Sequence, residues 1–171
     1  MEGLRQSVMA PAGGTILMLF GCFSAMSEMV KTRYAVKDEK GRPVLPHPYS
    51  PWVPVDPKYQ LKADAAYRAF KMFENVKEWT VLSLPLKWLF WLYGGTLPYV
   101  TQPMVDGAVV LSSIVYLVGT NWYIFGYIQG PEKRLKGFKL RRRVCEFWLF
   151  GSAGSFLWAL GRRIGNVALG Q

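Results

Sequence analysis

Tyr123 and Tyr127 stand four residues apart at the end of a long apolar run, and Arg134 follows seven residues after the second tyrosine. If a helix continues past Pro131, the three lie at i, i+4 and i+11, rotations of about 40° and 20° from the first. One face then presents two phenols and a guanidinium. A guanidinium keeps its protons, so the chemistry open to Arg134 is electrostatic: it favours a nearby negative charge and cannot act as a base. A second constellation precedes this one. Lys71, Asn75 and Glu78 fall at i, i+4 and i+7, on one helical face. They read either as a binding face or as the wet end of a helix, since Glu74 and Lys77 are charged neighbours outside that register.

The elements that must position these groups are apolar. Of 171 residues, 51% are hydrophobic and 15% aromatic, seven Trp among them, while only 19% are charged. The net charge of +10 comes from basic residues that flank long apolar runs. A positively charged membrane rim explains that distribution better than nucleic-acid binding does, and aromatic residues at the ends of apolar runs match an interfacial belt. Cys22 and Cys145 lie inside apolar runs, where a free cysteine behaves as a small hydrophobe, and no disulfide framework is expected. The N-terminal stretch has one Arg and an apolar run without a convincing cleavage site before Lys31, so it reads as a retained first helix and not as a signal peptide.

The expected fold is all-α: an integral membrane four-helix bundle forming one domain over 1–171, with spans at about 14–30, 70–93, 104–127 and 144–160. A proline-rich connection, 37–60, reads as an extended, polyproline-like strap. His47, the single histidine, lies in it, and no metal site is expected. Glu28 suits a solvated helix end, and Pro85 can kink the second span. Lys87, deeper in that span, either snorkels outward or pairs with Asp106. Gly151 to Ser155 give the fourth span a small-residue run that permits close helix approach. The connection after the third span holds seven Lys and Arg and the one after the first another seven, against only Arg5, Arg162 and Arg163 on the opposite side. By the positive-inside rule both basic connections lie on the cytosolic or matrix-like side and both termini across the membrane.

Taken together, these residues resemble the membrane-associated proteins in eicosanoid and glutathione metabolism, in the microsomal glutathione transferase and leukotriene C4 synthase branch. The family's second helix begins Arg-Ala-x-x-Asn-x-x-Glu-Tyr; here the run is Lys71-Met-Phe-Glu-Asn75-Val-Lys-Glu78-Trp79. Its third helix ends Tyr-x-x-Gly-Tyr with a thiol-activating Arg seven residues on, matched by Tyr123-Ile-Phe-Gly126-Tyr127 and Arg134. The run KTRYAV at Lys31–Val36 and the GPEKR segment are also similar. The chain departs from the pattern at Lys71, at Trp79 and at Thr120, where the family commonly has a basic residue. Lysine is a compact charge on a flexible stem and no equivalent of a forked guanidinium.

The resemblance implies a homotrimer that binds glutathione between subunits as co-substrate. Arg134 would hold its sulfur as the thiolate, Lys71, Lys31 and Arg33 its carboxylates, Glu78 its amino group and Asn75 its amides, with Tyr123 and Tyr127 on its backbone or sulfur. The second substrate would be a lipophilic electrophile or lipid hydroperoxide entering from the bilayer of the endoplasmic reticulum or a mitochondrion. The alternatives are a non-catalytic structural subunit of a larger membrane complex, whose site has decayed, and a lipid-binding relative.

Overall fold

The computed structural model describes residues 2–43, 57–130 and 132–168. Its long elements are four helices: α1 (Glu2–Tyr34), α2 (Gln60–Gly94), α3 (Gln102–Gln129) and α4 (Leu135–Ala168), with a short 3-10 turn at Pro57–Tyr59 before α2. α1 packs on α2 and α3, α4 packs on the same two helices, and α2 meets α3 across the middle. The directions alternate. Lys87 of α2 reaches Pro11 and Thr15 while Cys22 approaches Val76, which makes α1 and α2 antiparallel. Asn75 meets Arg141 and Ser83 meets Cys145, which makes α2 and α4 parallel. The ends of α1 and α3 and the starts of α2 and α4 therefore gather at one end of the bundle, and the two basic connections emerge there together.

The helices form one bundle because each buries a single stripe. On α4 that stripe is Gly137, Arg141, Val144, Cys145, Trp148, Ser152 and Ser155, a ladder of three- and four-residue steps. Trp148 and Tyr116 are fully buried and stack at 5.6 Å in the main core with Met18, Val105 and Val109. Outward faces are apolar as well: Phe20, Phe23, Leu111, Phe125, Phe150 and Leu157 are exposed. Three helices, α1, α3 and α4, are long and apolar enough to cross a membrane, and their most apolar stretches bury only 28%, 39% and 28% of their residues inside the bundle. Such surface suits lipid and not water.

Every helix runs past its expected span. α1 starts at Glu2 instead of near residue 14 and passes through Pro11, and the Thr15 hydroxyl donates to the Pro11 carbonyl at 2.8 Å. α2 starts at Gln60, ten residues before the expected 70, and α4 occupies 135–168 in place of 144–160. Polar helical turns continue each rod beyond its apolar part, so apolarity marks the candidate span and not the helix. Most of the proline-rich connection, His47 included, and Pro131 lie outside the described residues. The part of that connection that is described is no extended strap. It closes a tight turn, Lys37 pairing with Pro43 around Gly41 at φ 74°. The Asp38 carboxylate accepts the backbone N–H groups of Arg42 (2.8 Å) and Lys40 (2.9 Å), and these bonds, the one from Arg42 foremost, hold its pKa below the usual value.

Lys87 neither snorkels nor pairs with Asp106. It is fully buried and donates to the Pro11 carbonyl (3.0 Å) and the Thr15 hydroxyl (2.7 Å), while Asp106 accepts from the indole of Trp91 at 2.8 Å. Cys22 and Cys145 are free thiols, the second buried beside the Ser83 hydroxyl at 3.0 Å.

Candidate functional site

At the basic end of the bundle the chain reverses from α3 into α4 within a few residues. α3 ends at Gln129, and Gly130 follows at φ 154°, a backbone angle that disfavours a side chain. Arg134 then precedes α4, its carbonyl accepting the Phe138 N–H at 3.0 Å as the first turn of that helix. The helix thus does not continue past Pro131, and no shared helical face unites Arg134 with the tyrosines. Close backbone packing unites them instead. A Cβ on Gly126 would stand 2.5 Å from the Lys133 carbonyl oxygen and 2.8 Å from the Arg134 nitrogen, and one on Gly137 would strike the backbone of Tyr123, Trp122 and Gly119. These glycines let the turn fold directly onto α3, and the Arg134 guanidinium comes to lie over the Tyr127 ring at 5.0 Å.

Beneath that turn is a cavity of about 460 Å³ lined by Tyr67, Lys71 and Asn75 of α2, Tyr123 and Tyr127 of α3, and Arg134, Leu135 and Phe138. Its size falls within the usual range for small-molecule sites. Among the described residues two cations, one amide and three phenols line it, and no carboxylate does. Tyr123 and Tyr127 meet edge to face at 5.5 Å, and the Lys71 ammonium lies 5.8 Å from the Tyr67 ring. The arrangement favours an anionic ligand with several acceptors.

Five of the eight residues expected at the site are brought together here: Lys71, Asn75, Tyr123, Tyr127 and Arg134. Three are not. Glu78 is exposed outside the lining, because the wall follows the four-residue ladder Tyr67, Lys71, Asn75, and its next rung is Trp79. Lys31 pairs with Glu28 at 2.7 Å on the exposed end of α1, and Arg33 lies against Tyr34 at 5.7 Å. A narrower cleft lined by Thr32, Arg68, Met72 and Tyr127 lies between α1 and α2, with Tyr127 common to both spaces. Thr120 is buried against Gly21 of α1, a contact that leaves no room for a long basic side chain.

One residue at this end escaped the sequence pattern. Arg141 belongs by composition to the basic rim, yet it is fully buried. It donates to the Asn75 Oδ1 at 3.0 Å and lies over the rings of Tyr123 (4.7 Å) and Trp79 (5.8 Å). The signal that finds it is the spacing Gly137, Arg141, Val144, Trp148, which extends the buried stripe of α4 upward through the basic cluster. A separate apolar groove of about 330 Å³ runs between α3 and α4, lined by Leu111, Val115, Leu140, Val144 and Phe147 among others.

No protein-family model matches the chain. The chain is similar to an uncharacterized protein of Synechocystis sp., 32% identical over 93 residues, an alignment that covers 54% of this chain and 61% of that relative.

Proposed function

We propose that all four helices span a membrane and that the cavity binds glutathione, making the protein a membrane-bound glutathione transferase or peroxidase for lipophilic electrophiles or lipid hydroperoxides. The observation that carries this reading is the convergence of Arg134, Tyr123, Tyr127, Asn75 and Lys71, from three separate parts of the chain, on one cavity without a carboxylate among its described lining residues. Glutathione is an anionic peptide with two carboxylates, two peptide carbonyls and a thiol, and cations, amide and phenols suit it. A thiol with a pKa of about 8.5 is mostly protonated at neutral pH, and a fixed guanidinium beside it favours the nucleophilic thiolate. The thiol proton leaves to solvent, the thiolate sulfur bonds to the electrophilic carbon, and the electrons of the broken bond pass to the leaving group or opened ring. The groove between α3 and α4 supports an approach of the lipophilic substrate from the bilayer. Glu78 and Lys31 are exposed and Arg33 is half-buried outside the cavity, where a neighbouring copy in a homotrimer would bring them to a shared site.

That same placement outside the cavity favours a second reading, a structural subunit of a larger membrane complex, in which the ligand is no longer needed. Conjugation rates separate the two. A well-placed electrostatic donor is worth on the order of 3 kcal/mol, about a hundredfold in rate. Arg134→Ala should therefore lower glutathione turnover by about that factor, while Arg142→Ala, whose exposed guanidinium pairs with Glu146 at 2.7 Å, should leave it unchanged. Equal rates for wild type and Arg134→Ala remove Arg134 from the site. A folded wild type without activity leaves the structural reading.

A further inference from the structure

Arg141 enters the bundle from α4 and is fully buried between α2 and α3. Of its donors, Nη2 reaches the Asn75 Oδ1 at 3.0 Å, whereas Nε and Nη1 are buried without a hydrogen-bond partner among the described residues. The acid on its own helix, Glu146, is engaged by Arg142 and Arg143. Burying a guanidinium without a counter-ion is costly, and a well-packed apolar side chain would be cheaper. What an apolar side chain cannot do is orient Asn75. A guanidinium has donors only. The Asn75 amide must therefore turn its oxygen toward Arg141, which directs its NH2 group away from that contact. Asn75 also lines the cavity with Lys71, Tyr123, Tyr127 and Arg134.

We propose that Arg141 is a positioning residue: it locks the Asn75 amide oxygen-inward, so that this wall of the cavity presents a fixed N–H donor and selects a carbonyl or carboxylate on the ligand. The inference rests on the glutathione reading for the identity of that ligand, whose peptide carbonyls and carboxylates are acceptors of this kind. Without Arg141 the amide is free to rotate and offers its own carbonyl, which repels the same groups. The packing of Arg141 over Tyr123 and against Trp79 keeps the guanidinium from following the ligand outward.

The test is a double-mutant cycle on the full chain in detergent or lipid discs, reading glutathione Kd by calorimetry and thermal unfolding on the same samples. Arg141→Met and Asn75→Ala should each weaken binding about tenfold, the loss of one good hydrogen bond, and the double variant should bind no worse than Asn75→Ala alone. Additive losses overturn the proposal while leaving the glutathione reading intact. Asn75→Asp keeps an acceptor for Arg141, turns the contact into an ion pair and removes the N–H donor. It should unfold at the same or a higher temperature and yet lose binding, and an Asn75→Asp variant that binds as well as wild type overturns the proposal, since no N–H donor is left at that position. If Arg141→Met does not fold, Arg141→Gln takes its place in the cycle, because its amide offers Asn75 an acceptor as well as a donor and no longer fixes the Asn75 oxygen inward. If wild type binds no glutathione, that reading falls by itself, and the unfolding temperatures then decide the coupling: non-additive shifts support the lock, and additive shifts overturn it.

Discussion

A lysine inside a helical bundle needs acceptors for its protons, and Lys87 has taken two from α1. Its ammonium reaches the Pro11 carbonyl and the Thr15 hydroxyl, one turn apart on α1, and that hydroxyl also accepts from the Trp88 indole at 3.2 Å. Replacing a buried cation by an apolar residue of similar length is often neutral or stabilising, whereas removing its partner strands the charge. Lys87→Met should therefore leave thermal stability unchanged or raise it, and Thr15→Val should cost about 1–3 kcal/mol by depriving two buried donors of an acceptor. Chemical or thermal unfolding in mild detergent reads both. Equal destabilisation by the two variants would mean that the lysine charge itself holds α1 to α2.

The elements reach the site through glycine. Gly126 stands between the two tyrosines in sequence and under the Lys133–Arg134 backbone in space, so its missing side chain decides how closely the turn approaches α3. Gly126→Ala should push that turn outward, costing about 1–3 kcal/mol in stability as an overpacked contact and lowering glutathione affinity together with it. An alanine variant with unchanged stability and affinity would show that the turn moves freely. Helices, their order and the shared end of the two basic connections were legible in the sequence, because apolar runs and charge clusters report them directly. The meeting of Lys71 and Asn75 was legible too, since both lie on one helix. Arg134 was matched to the tyrosines by its spacing, but the continuous helix that spacing suggested is absent; a chain reversal at Gly130 accomplishes the contact. Arg141 was hidden because a buried arginine among six other basic residues within eleven positions carries no compositional mark of its own. The small-residue run at Gly151–Ser155 was read as the place of close approach. It packs in part, Gly151 against Phe90 and Ser152 and Ser155 buried, while Ala153 and Gly154 face outward and the tightest backbone contact lies instead at Gly126 and Gly137.

The outer surface of the bundle is apolar along its length and basic at one end, which suits lipid. Glu78 and Lys31 are exposed at the same end as the cavity without lining it. If a homotrimer completes the site, native mass measurement in mild detergent should count three copies. In the same preparation, Glu78→Gln should weaken glutathione binding although Glu78 lies outside the cavity of its own chain. A stable monomer that nevertheless binds would leave Glu78 without a role. The most direct measurement of whether this cavity is a glutathione site is a calorimetric titration of glutathione into the folded, detergent-solubilised chain. Saturable binding that is lost when Arg134 and Lys71 are both replaced by alanine is the result expected from two cations around a peptide with two carboxylates. Heat of dilution alone from a protein whose helical content and unfolding are intact would contradict it.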